Sequence, residues 1–264
     1  MSEVRLKGME NPIRKLYGKL TALKTYTPSE EVNGLFVELV RLALGPDDKN
    51  TLTAEEMDKL QVICGTAEYE LEKYWAEKIV RSDDPKGVME DFPYMENYQK
   101  LTRMEWFSLL SCEAHEEHGI FFAGGGPLPL TAILLARDYG QKVTVADIDA
   151  DACDFSMRLV KALGLDKKIT VINADAAEYE GYGGFNVIIV AALAGLEKGM
   201  KGRILGKIKK HALRGAHVLA RSSWGMRELL YRPLEPEACD GFKRIIEVRP
   251  RNDVVNSIVI FKNS

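Results

Sequence analysis

Residues 123–131 read AGGGPLPLT, a glycine cluster set between an apolar run and a helical pattern. Glycines at such a turn let backbone amides approach a ligand, and the start of the following helix offers further donors. Pro129 stands where the dinucleotide fingerprint G-x-G-x-x-G needs its third glycine, so a dinucleotide reading is weakened. About twenty residues on, Asp147 ends a second apolar run, where a carboxylate accepts hydrogen bonds from both hydroxyls of a ribose. Asp175, followed by Ala176, ends a third run, where an adenine amine would be met. Each acid alone reads equally well as a helix cap or a solvated turn. With Gly124, Gly125, Gly126, Pro127 and Leu128 at the strand ends of one sheet, a nucleoside pocket is the better account. No phosphate-binding lysine follows the glycines, so S-adenosylmethionine (SAM) fits better than a nucleotide.

A sulfonium carbon is attacked only by a neutral amine, and an α-amine of pKa about 8 is mostly protonated at neutral pH, so an amine acceptor needs a base. Glu72 follows Glu68 by one helical turn, and a like charge at that spacing raises a carboxyl pKa if both face one pocket. Tyr94 and Tyr98 can supply a hydroxyl relay or an aromatic face for the sulfonium. On pattern alone, a surface Glu72 and core tyrosines are the simpler alternative. Arg221 and Asn256 fall at strand ends, where they either bind substrate carboxylates or cap the backbone. His115-Glu116-Glu117-His118 does not have the H-E-x-x-H spacing and no third ligand lies nearby, so it reads as a solvated helix end or loop and no metal is expected. The charge run from Lys198 to His211 reads as the solvated face of a helix.

The elements that must position these residues change character along the chain. Up to about Glu116 the pattern is helical; from Gly119 short apolar strands alternate with helices, which divides the chain into a helical cap or acceptor-binding domain, 1–116, and a SAM-binding Rossmann-like domain, 117–264. The clearest helix opens at the capping box Thr53-Ala-Glu-Glu56 and runs to about Val80, with Leu60, Ile63, Ala67, Leu71, Tyr74 and Trp75 on one side and Glu72 at the margin. A second covers about 96–112. Strands are expected at FFA, VTVAD, ITVINAD, VIIVAAL and HVLAR, parallel and with right-handed crossovers. RIIEV and NSIVIF have no helix between them and should form an antiparallel hairpin at the sheet edge. That ending suggests an α/β sheet of the SAM-dependent methyltransferase type rather than that of a classical dehydrogenase.

Composition narrows the function classes. The 264 residues are 46% hydrophobic and 28% charged, which excludes disorder and a disulfide miniprotein. A net charge of −3 gives no basic field for a phosphate backbone, so no nucleic-acid partner is expected. Cys64, Cys112, Cys153 and Cys239 form no C-x-x-C pair and read as reduced, buried thiols. The charged opening MSEVRLKGMENPIRK leaves no apolar signal segment, and the uncharged run 119–136 is interrupted by three glycines and two prolines, so a cytoplasmic protein with no membrane span is expected.

Several segments together resemble nicotianamine synthases, a family of plants, fungi and some archaea: Phe92-Pro93-Tyr94 with Asn97-Tyr98-Gln99-Lys100-Leu101, GGGPLPLT, Val190-Ala191-Ala192-Leu193, Arg221-Ser222 and Asp253-Val254-Val255-Asn256-Ser257, within about 60–261. The resemblance implies that three SAM molecules serve as donor and acceptor and are joined through their α-amino groups. An azetidine ring then closes, and methylthioadenosine (MTA) is released each time. It implies Glu72 as the active-site glutamate, Tyr98 beside the reacting amine, and no cofactor other than SAM as substrate; a homodimer is compatible with it. Ser223-Trp224-Gly225 replaces the Ala-His-Gly of plant members. Aminobutyrate transfer to glutamate or histidine, a SAM-dependent methyltransferase, and a SAM-binding sensor without turnover are the rival readings, separable by product.

Overall fold

A computed structural model describes residues 11–46, 51–114 and 119–264. Five helices come first: α1 Pro12–Ala22, α2 Glu30–Leu44, α3 Ala54–Val80, α4 Pro85–Glu90 and α5 Met95–Ser111. The longest, α3, is fixed at its start by the expected capping box: Glu56 N–H donates to Thr53 Oγ1 at 3.2 Å, and Thr53 N–H donates to the Glu56 carboxylate at 2.8 Å. Its 27 residues extend about 40 Å at 1.5 Å per residue, long enough to cross the whole edge of the sheet. Leu60, Ile63, Ala67 and Trp75 are buried on it as expected, whereas Tyr74 is 50% exposed. Tyr74 stands about 100° round the helix from Trp75, and the buried stripe runs instead through Glu72, Ala76 and Ile79.

The rest is β1 Ile120–Ala123, α6 Leu130–Asp138, β2 Val143–Asp147, α7 Ala150–Ala162, β3 Ile169–Asn173, β4 Val187–Val190, α8 Met200–His211, β5 His217–Ser222, β6 Phe242–Val248 and β7 Ser257–Asn263. Strand order is β3-β2-β1-β4-β5-β7-β6, with β1 to β5 parallel and β7 antiparallel to both β5 and β6. The α/β sheet with a terminal antiparallel hairpin is therefore present as expected. β1 and β4 are buried throughout, which is why they read as unbroken apolar runs. The uncharged run 119–136 divides into β1, a turn and α6, and among the described residues no helix is long and apolar enough to cross a membrane.

Register sets the site. Ala123 pairs with Ala146 and with Val190, and Val190 pairs with Ala220, so Gly124, Asp147, Ala191 and Arg221 emerge level at the carboxyl edge. Strand order reverses between the parallel neighbours β1 and β4, the crevice where open α/β sheets take ligands. The passage from helices to sheet falls between α5 and β1, yet both hydrophobic clusters cross it. One joins Trp75, Ile79 and Trp106 to the sheet, and the other joins Leu16, Leu39 and Leu60 to Met226, Leu229 and Val255.

Three further expectations need correction. Lys201, inside the charge run read as a solvated face, is buried and donates to the carbonyls of Ala192 at 2.8 Å and Arg221 at 3.3 Å; an amphipathic helix hides a lysine when carbonyls wait at the end of its stem. All four cysteines are free, but only Cys64 and Cys153 are buried. Asp175 lies two residues past the end of β3. His115 to His118 lie outside the described residues.

Candidate active site

A cavity of about 750 Å³ lies over the carboxyl edge of the sheet, beneath α3, and falls in the size range of small-molecule sites, about 300–1,000 Å³. The glycine turn forms one wall. Gly124 (φ +83°) and Gly126 (φ +64°) are left-handed, the conformation L side chains avoid. A Cβ on Gly124 would stand 2.8 Å from that of Ala194, and one on Gly126 would run into the carboxylate of Glu72. The turn is bracketed by two acids: Gly126 N–H donates to Asp147 Oδ2 at 2.8 Å, and Leu128 N–H donates to the Glu72 carboxylate. Asp147 Oδ1 also accepts from Asp149 N–H at 3.0 Å, and the cap of α7 is Asp149 itself. Asp175 accepts from Ala177 N–H at 2.8 Å; Asp175 and Ala176 line the same cavity as Gly125, Pro127 and Leu128.

Opposite the turn, α3 brings Glu68 and Glu72 together from positions four residues apart. The Tyr98 hydroxyl lies 3.2 Å from Glu68 Oε1 and 3.4 Å from Glu72 Oε1, and the Tyr231 hydroxyl donates to Glu68 Oε2 at 2.9 Å. Glu72 is 8% exposed, so it is not the surface carboxylate that the pattern alone allowed. Burial, then the neighbouring Glu68 and Asp147, push its carboxyl well above the ordinary carboxylate range against the pull of the Leu128 amide and Tyr98. Burial likewise raises Glu68, opposed by its two tyrosine donors and Arg221. Tyr98 is pushed up by burial, Glu68 and Glu72, and Tyr231 by burial, Glu68 and Tyr98, so both hydroxyls stay protonated at neutral pH. Tyr94 lines the cavity with its ring edge-to-face against Phe92, centroids 6.0 Å apart.

Arg221 and Asn256 both reach the cavity, in different states. Arg221 gives Nε to Glu105 Oε1 at 2.6 Å and Nη2 to Glu105 Oε2 at 3.0 Å and Thr131 Oγ1 at 2.6 Å, with its guanidinium 5.4 Å from the Phe122 ring centroid. Most of its hydrogen bonding is thus spent inside the protein. Asn256 is buried with its Nδ2 unpartnered, a donor facing the same cavity that anionic oxygen would satisfy.

Glu105, Tyr231 and Lys201 escaped the sequence reading. Glu105 sits in the ordinary helical stretch MEWF and Tyr231 in a motif-free segment, and only the fold brings them to Arg221 and Glu68, 116 and 163 residues away. No local signal marks either.

Known proteins resemble this chain over nearly its whole length. A family model described as "Nicotianamine synthase protein" matches residues 6–264. The chain is 34% identical to "Probable nicotianamine synthase 4" of Arabidopsis thaliana over 263 residues, covering 95% of this chain and 81% of that protein. Among solved structures it is similar to MtNAS in complex with MTA and tNA, with a TM-score of 0.84 and 26% identity over 96% of this chain and 97% of that one. A glutamate-to-glutamine variant of MtNAS in complex with S-adenosylmethionine gives 0.82, with 26% identity and 96% of each chain covered. The magnesium protoporphyrin IX methyltransferase of Synechocystis, 13% identical with a TM-score of 0.53 over 82% of this chain and all of that one, shares the fold.

Proposed function

The chain belongs to the nicotianamine synthase family, and on that premise we propose how its own residues carry the reaction. The activity is nicotianamine synthesis from SAM, a transfer of 3-amino-3-carboxypropyl groups. The observation that carries the assignment of roles is the placement of Glu72 between the glycine turn and Tyr98, one helical turn from Glu68.

The turn, Asp147 and Asp175 hold the nucleoside of the donor: amides at a strand-to-helix turn and two acids beyond it suit ribose and adenine. SAM carries one net positive charge from its sulfonium and ammonium against one carboxylate, and the two carboxyls of α3 oppose that charge. The acceptor ammonium must lose a proton before its nitrogen attacks the methylene carbon on sulfur. Glu72 takes that proton; its raised pKa brings it closer to that of the amine, which a base needs to work near neutral pH. As the N–C bond forms, the C–S pair moves to sulfur and neutral MTA leaves. Two further transfers, the last within the chain, lengthen the product and close the ring. Tyr98 orients the nitrogen, Tyr94 offers its ring face to the sulfonium, and Asn256 binds a substrate carboxylate. Arg221 joins it through whatever donor Glu105 and Thr131 leave it. SAM is donor and acceptor alike.

Incubation with SAM alone, followed by mass spectrometry, tests the assignment. Nicotianamine with three equivalents of MTA is expected. S-adenosylhomocysteine would instead indicate methyl transfer, and a requirement for glutamate or histidine would indicate the same chemistry on another acceptor.

A further inference from the structure

Each N–C bond leaves one proton behind and three are made per product, whereas Glu72 accepts one at a time. It is buried, and the only side chain whose hydrogen bond to it is defined among the described residues is Tyr98. That hydroxyl also touches Glu68, whose other oxygen is held by Tyr231. A hydroxyl between two carboxyl oxygens passes a proton without changing its own state, accepting at oxygen from one side while giving its hydrogen to the other. Held at both oxygens by tyrosines from α5 and from the loop after β5, Glu68 keeps Oε1 on Tyr98.

We propose that Glu68 is the second proton acceptor of the cavity, taking through Tyr98 the proton that Glu72 strips from the first amine and so returning Glu72 to its carboxylate for the second transfer. The inference rests on the reaction assigned above. The balance closes: the ammonium proton moves to Glu72, the proton of Glu72 moves to the Tyr98 oxygen, and the former Tyr98 proton moves to Glu68. Glu72 ends anionic, Tyr98 unchanged and Glu68 neutral. Burial favours the neutral carboxyl at Glu68 as it does at Glu72.

The alternative is that Glu68 merely orients Tyr98, and the order of events separates the two. Rapid-quench counting of MTA per active site, with SAM in excess, gives the rates of the first and second transfers. Glu68→Gln keeps an oxygen for one tyrosine and turns an amide to the other, but cannot take a proton. It should raise the ratio of the first rate to the second about tenfold over that of the unaltered protein, and further in D2O. Tyr98→Phe cuts the same link from the other side, should raise the ratio equally and carries the test if Glu68→Gln does not fold; the double variant should add nothing. An unchanged ratio, or equal slowing of both transfers, overturns the relay while leaving the assigned reaction standing. No MTA from the unaltered protein overturns that reaction and the relay with it.

Discussion

The carboxylate of Glu72 fills the space that a side chain at position 126 would occupy. α3 and the glycine turn are therefore fitted to each other through an acid on one and a missing Cβ on the other, and the Leu128 amide closes the contact. A single methyl group tests this. Gly126→Ala meets a left-handed φ, which costs about 1–2 kcal/mol, and displaces Glu72. MTA release should fall about 10²-fold, the usual consequence of misplacing a reacting group by an ångström. Turnover within twofold of normal in a folded variant would show that the two are not fitted.

Asp147 meets the turn from the other side. Asp147→Ala removes the acceptor of Gly126 N–H together with the carboxylate assigned to ribose, and a hydrogen bond to a charged group contributes about 1.5–3 kcal/mol. SAM affinity measured by calorimetry should drop more than tenfold. Unchanged affinity would confine Asp147 to the turn.

Glu105 and Arg221 join α5 to β5 as a buried ion pair. Removing one partner leaves the other charge uncompensated, at about 3–5 kcal/mol. Glu105→Ala should lower unfolding stability by that amount in a urea titration, and a loss under 1 kcal/mol would place the pair among solvated ones.

Lys201 titrates low for a lysine, pushed down to about 7 by burial first and then by Arg221 and Arg232. In the unfolded chain it holds its proton to about 10.5, so between about 7 and 10.5 the unfolded state binds more protons and this residue's contribution to stability rises with pH. The stability difference between the unaltered protein and Lys201→Met should therefore grow from pH 7 to pH 9.5. A difference constant over that range would mean that Lys201 is solvated.

Much of this architecture is legible in the residues. The strand runs are apolar because both sheet faces are covered, Gly140, Gly164 and Gly215 end helices or open strands at positive φ, and Thr53 with Glu56 announces α3. The glycine turn and Asp147 can be read because their chemistry is local. Glu72 is ambiguous in the sequence for a physical reason: at the margin of an apolar stripe, a glutamate faces solvent or a cavity depending on what packs over it, and here the glycine turn, distant in sequence, does so. The Glu105–Arg221 pair and the Tyr231 contact to Glu68 are fixed by topology alone. So is the burial of Lys201, whose neighbours in sequence are those of an exposed basic face.

The central claim is that Glu72 takes the proton of the attacking amine. Single-turnover MTA release and SAM affinity, measured on the same Glu72→Gln protein, test it most directly, since glutamine keeps the shape and the acceptor for Leu128 N–H but not the base. Release should slow by about 10²–10⁴, the contribution of a positioned acid or base, with SAM affinity little changed. Near-normal release would contradict the claim, and a parallel loss of affinity would make Glu72 a binding residue instead.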